Sequence, residues 1–218
     1  MGSITRSIAN NITTGGVFTS SAIANTSVTG ITTLANVSDG ITFISSQTAS
    51  NSATLSFTSG LDSTYKAYKF VFSSIHPRTD TTQFQFNMST DSGSNYNVTK
   101  TSTFFHAFQN ESGSSTGLTY VTDGDLAQST SFQIISVEAG GLGNGADESC
   151  SGSLIIFNPA STVYVKHFIG NTNSYNADNY SLNVFTAGYG NTLSAVDSVQ
   201  FKMSTGNFDG TIALYGIK

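Results

Sequence analysis

The sequence predicts an all-β protein: an antiparallel β-sandwich, jelly-roll-like, carried behind an extended N-terminal arm. Three observations point there. From residue 41 onward, short runs of alternating apolar and polar residues recur about every ten to fifteen positions, with no helical period among them. Clusters of Ser, Asn, Asp and Gly punctuate the runs as turns. Two strongly apolar runs, residues 154–157 and 162–169, flank Asn158-Pro159-Ala160-Ser161, where proline fixes φ and Asn and Ser bond nearby backbone. This segment, residues 153–170, reads as a hairpin central in a sheet, because both runs are too apolar to leave one face wet.

Residues 1–40 read differently. They hold one aromatic, Phe18, among many Thr, Ser, Asn, Ala and Gly. Ile4, Ile8 and Ile12 recur every four residues behind Ser3, a possible helix cap, and Gly15 can end the helix. Thr, Asn and Ile are indifferent helix formers, so such a helix needs a surface to lie on. A loose repeat also runs through Ile8-Ala9-Asn10, Ile23-Ala24-Asn25 and Leu34-Ala35-Asn36, each followed by a turn. It is too short for an independent solenoid. The expectation is an arm over residues 1–40, with Ile4, Ile8, Ile12, Val17 and Phe18 as its contacts on a partner, and a β body over residues 41–218.

Within the body, Ile41-Thr42-Phe43-Ile44 reads as a short strand. Ala53, Leu55 and Phe57 alternate inward, as do Tyr68, Phe70 and Phe72, then Phe84, Phe86 and Met88. His76-Pro77 is expected to open a loop, and residues 91–95 to turn the chain. Strands follow over residues 103–108, 118–121 and 131–137, with a flexible loop at 139–147. After the central hairpin, residues 171–180 (NTNSYNADNY) read as a polar, tyrosine-bearing loop. Strands over 181–189, 195–203 and 211–217 close the body, with Leu182, Val184, Phe185, Val199, Phe201, Met203, Ile212 and Leu214 apolar.

Composition narrows the function. Nearly half of the 218 residues are Ser, Thr, Asn or Gly, and only 10% are charged, far below a usual soluble domain. Acids, bases and cation clamps are correspondingly scarce. The net charge is −5 and the eight Lys and Arg form no basic stripe, which argues against binding nucleic acid. No apolar run is long enough for a membrane helix, so no membrane insertion is expected. The N-terminus shows no secretory signal. The single cysteine, Cys150, is expected to be a small buried strand residue.

No motif carries catalysis. His76, His106 and His167 lack metal-ligand spacing, and His167 reads as a structural strand residue. The acidic pairs Asp123/Asp125 and Asp147/Glu148 lack the spacing of a calcium loop and read as solvated turns. No nucleophile elbow or phosphate loop occurs, and Gly140-Gly141-Leu142-Gly143 does not open a helix pattern. No metal or cofactor is expected. Tyr175 and Tyr180 form a possible ligand-facing loop, since tyrosine gives rigid amphipathic contact area.

The run Phe157-Asn158-Pro159-Ala160-Ser161-Thr162-Val163-Tyr164-Val165-Lys166-His167-Phe168 resembles a C-terminal domain of tailed-bacteriophage structural proteins, marine phages especially. So do Phe72-Ser73-Ser74-Ile75-His76-Pro77, the turn at residues 89–96, and the closing residues 201–206 and 214–217. The resemblance spans roughly residues 40–218 and lies in fold-level motifs, so it brings no catalytic residue. It implies a trimeric β-sandwich knob in the virion, made in the host cytoplasm, whose partners are copies of itself and phage capsid or tail proteins. The short chain favours a non-enzymatic capsid decoration, cement or short head-fibre protein. The alternative is a tail-fibre tip that binds a receptor or host surface glycan. A polysaccharide depolymerase, the third reading, would need acidic residues along a groove.

Overall fold

A computed structural model describes residues 40–218 as twelve β-strands, with no helix among them. The strands are β1 (Ile41–Ser52), β2 (Thr54–Phe57), β3 (Ala67–Pro77), β4 (Phe84–Ser89), β5 (Lys100–Asn110) and β6 (Thr116–Tyr120), then β7 (Gln133–Ile134), β8 (Cys150–Phe157), β9 (Lys166–Tyr175), β10 (Tyr180–Gly190), β11 (Ser198–Met203) and β12 (Phe208–Ile217). An eight-stranded sheet, ordered β1-β12-β3-β8-β9-β10-β5-β6, packs against a four-stranded sheet, β2-β11-β4-β7. All pairs are antiparallel.

The pairing is nested: β1 with β12, β2 with β11, β3 with β8, β4 with β7. A long hairpin rolled so that successive pairs alternate between two sheets gives this order, the jelly-roll arrangement. Two hairpins extend it. β5–β6 is inserted between β4 and β7, and β9–β10 between β8 and β11; their pairing through β10 and β5 widens one sheet only.

Alternation sets the core, because one face of each sheet must be covered. Phe57, Phe70, Phe72, Phe84, Phe86 and Phe201 are essentially inaccessible. Phe201 is the hub: its ring centroid lies 5.1 Å from Phe70, 5.3 Å from Phe72 and 5.8 Å from Phe84. Cys150 is buried at the start of β8.

The expected central hairpin is central: β8 and β9 stand fourth and fifth in the eight-stranded sheet, with Ile155 opposite Ile169. Two of its details differ. Its outward face is open, with Ile169 50% exposed. Its second strand starts at Lys166, leaving Val163 and Tyr164 exposed in the connection. Ser161 Oγ accepts the N–H groups of both, so the turn holds residues that their β-branched and aromatic character would place in a strand.

Other boundaries shift too. His76-Pro77 ends β3 rather than opening a loop. β1 runs twelve residues, and Ala53 sits exposed in the bend after it. The expected strand at 131–137 shrinks to Gln133–Ile134, because its neighbours are bonded by side chains: Ser136 Oγ accepts the Phe84 N–H, and Thr172 Oγ1 donates to the Ile135 carbonyl. Residues 171–180 are no loop: β9 continues to Tyr175 and β10 begins at Tyr180. Phe185 points outward, 37% exposed, rather than joining Leu182 and Val184 in the core. His167 is likewise exposed. The arm residues Ile4, Ile8, Ile12, Val17 and Phe18, and the repeat around them, lie outside the described residues.

Candidate interaction surface

The outward face of the eight-stranded sheet is built by the residues that alternate with the core. Strand register aligns them in rows across the sheet. One row passes from Tyr120 through Phe105, Phe185, Asn171 and Ser153 to Val71 and Ala213. The next runs Thr103, Ala187, Ile169, Ile155, Lys69, Tyr215, Phe43. Phe105 and Phe185 stack at 5.1 Å, and Phe43 meets Tyr215 edge-on at 5.6 Å. In these two rows Lys69 is the one charged side chain. The row on the other side, Leu118-Ala107-Asn183-Asn173-Ser151, is polar but also uncharged.

Among the described residues, eight of the eleven large apolar side chains left exposed lie on this face: Ile41, Phe43, Phe105, Leu118, Tyr120, Phe157, Ile169 and Phe185. The other three, Val163, Tyr164 and Leu193, lie in the β8–β9 and β10–β11 connections at the end where Phe157 and Lys166 sit. The exposed apolar surface is therefore one-sided. Exposed apolar side chains gathered on one face mark contact surfaces. The outer side of the four-stranded sheet is different, because the chain's own loops reach over it. Asn87 Nδ2 donates to the carbonyls of Tyr96 (2.7 Å) and Thr130 (2.9 Å), and the Lys202 ammonium lies 4.5 Å from the Phe132 ring centroid.

Two lysines are buried at the end of the sandwich near Gly190, which pairs with Lys100 on one side and Lys166 on the other. Lys100 Nζ donates to Asn87 Oδ1 (2.6 Å) and the Val98 carbonyl (2.8 Å). Loss of water pushes its pKa down to about 7. The two N–H groups of a neutral amine match those two acceptors. Lys166 Nζ donates to the carbonyls of Tyr164 and Thr192, and burial lowers its pKa as well. These contacts tie β5 to β4, and the β8–β9 connection to the β10–β11 connection. The period of two would have revealed both lysines as inward, since Lys166 is two residues before Phe168 and Lys100 four before Phe104.

Tyr175 ends β9 and Tyr180 starts β10, on either side of the turn at 176–179. The Tyr175 hydroxyl donates to Asn179 Oδ1 at 2.8 Å, and loss of water with nearby acidic groups raises its pKa. Tyr180 is half-buried, its ring edge-on to Phe108 at 5.9 Å. His106 is buried between Phe104 and Phe108; its Nδ1 has no hydrogen-bond partner, and burial lowers its pKa. His76 Nδ1 bonds the Glu148 carbonyl oxygen. Asp125 accepts from the Tyr120 hydroxyl, and the Glu148 carboxylate caps the Gly145 N–H. Among the described residues no three His, Cys, Asp or Glu side chains are grouped to hold a metal ion. No helix among them is long and apolar enough to cross a membrane.

The outward apolar rows were missed in the sequence, which shows that a strand alternates but not which neighbours line up beside it. Comparison of the chain with known protein families, with curated proteins and with solved structures gives no match.

Proposed function

We propose that this chain is a non-enzymatic structural protein of a tailed-phage virion: a homotrimeric capsid decoration, cement or short head-fibre protein. Residues 1–40 are its anchor, and the sandwich is the projecting body. The observation that carries this reading is the neutral, aromatic-bearing outer face, a surface suited to packing against protein rather than to chemistry. The jelly-roll topology and the likeness of the central hairpin to phage structural domains support it. A charge-poor chain suits such packing, because each unpaired charge buried in an assembly costs several kcal/mol. Three linked arms would add avidity without strengthening any one contact.

The test is replacement of Ile4, Ile8 and Ile12 together by Asp. Particles made with this variant should lack the protein while the purified variant keeps the wild-type melting curve. A full complement on the particle would refute the anchoring role.

The second reading is a receptor- or glycan-binding tip. The half-exposed Tyr175, beside a turn rich in Asn, favours it. Saturable binding on a glycan array, lost in Tyr175→Ala, would support the tip over the decoration.

A further inference from the structure

The outer face of the eight-stranded sheet is broad, nearly uncharged and open, and what covers it follows from its size and charge. Seven interstrand spacings of about 4.8 Å make it about 34 Å wide, and five outward rows span about 27 Å along the strands, roughly 900 Å² in all. A stable protein–protein interface needs about 800 Å² from each partner. The face thus supplies the area of one standard interface.

Its charge selects the occupant. The two central rows contain one lysine and no carboxylate. A strongly charged partner would find almost nothing to pair with here, and its own charges would be stranded on contact. A surface of the same neutral kind strands only Lys69, whose ammonium can extend along the interface toward water. That surface is present on every other copy of the chain. The four-stranded sheet offers no such area, since its outer side is crossed by the loops that Asn87 and Phe132 hold.

We infer that the outer face of the eight-stranded sheet, centred on Ile169 and Ile155, is the contact surface between copies of this chain. The inference rests on the homotrimer in the functional reading above, in which each copy's face is divided between its two neighbours about the threefold axis, and names the surface which that reading leaves open. Ile169, 50% exposed, and Phe43, 57% exposed, lie in the same row on different strands, so a carboxylate at either one should be buried unpaired on association while doing little to the monomer.

Sedimentation velocity on the full-length chain over micromolar concentrations tests this. The wild type should sediment as a defined oligomer. Ile169→Glu and Phe43→Glu should each weaken self-association about tenfold or more, with thermal melts showing that each variant folds. Thr54→Glu, exposed on β2 of the other sheet, should assemble like the wild type. A folded Ile169→Glu or Phe43→Glu that assembles like the wild type would overturn the inference but leave a trimer standing. A wild type that stays monomeric throughout would overturn both. Incorporation into particles is read separately, so the anchoring role and the self-contact can fail independently.

Discussion

Lys100 is the least comfortable residue in this fold, and replacing it gives a stability prediction with a defined sign and pH window. Its amine is buried with two neutral acceptors and no carboxylate bonded to it. The unfolded chain keeps this proton up to the ordinary value of 10.5, whereas the folded chain loses it near 7. Between those values the unfolded state holds more protons, so stability rises with pH; below 7 the cost is largest and constant. The cost is on the order of 4 kcal/mol at pH 7 and about 1 kcal/mol near pH 9.5. Lys100→Met keeps the length of the side chain and removes the titration. Asn87 Oδ1 still accepts the Met88 N–H, while the Val98 carbonyl loses its partner at about 1–3 kcal/mol. The variant should therefore be more stable than the wild type by about 1–3 kcal/mol at pH 7, a lead that shrinks by about 3 kcal/mol toward pH 9.5. Urea unfolding of both proteins at each pH measures this. A gap that does not change with pH, or a variant less stable than the wild type at pH 7, would refute the reasoning.

Three further expectations follow from the same structure. Phe201→Ala removes the ring that meets Phe70, Phe72 and Phe84 and should cost about 3–5 kcal/mol in urea unfolding; a loss under about 1 kcal/mol would mean the rings do not pack as described. Burial pushes the Cys150 thiol up to about 12, so it should resist a thiol reagent in the native protein and react on unfolding, and fast native labelling would contradict its burial. Tyr180→Ala should lower the melting temperature through lost packing on Phe108, whereas Tyr175→Ala should not, which makes Tyr175 the cleaner probe of glycan binding.

Parts of this fold are legible in the sequence because one face of a strand is dry. Phe84, Phe86 and Met88, and Val199, Phe201 and Met203, alternate for that reason, and all six are buried. The turn at 91–95 is legible because its chemistry is local: Asp91 accepts from Ser89 Oγ and Asn95, and those bonds hold its pKa down to about 2. Strands built from Asn, Thr and Ser escape notice. Residues 171–175 have no apolar period, yet they pair along their length with β10, and Asn171 Nδ2 reaches Asn183 Oδ1 at 2.8 Å. The nested order of strands escapes for another reason: β1 meets β12 across most of the body, and no local pattern encodes a pairing so distant. The candidate surface shares that obscurity. Ile155 and Ile169 were visible as apolar residues, but their place between Lys69 and Ala187 on an open face depends on the sheet order.

Counting this chain in purified particles, and locating it by electron cryomicroscopy, tests the structural role most directly. The account predicts copies in multiples of three on the particle surface, with the sandwich projecting. Particles that contain none of it would contradict the account.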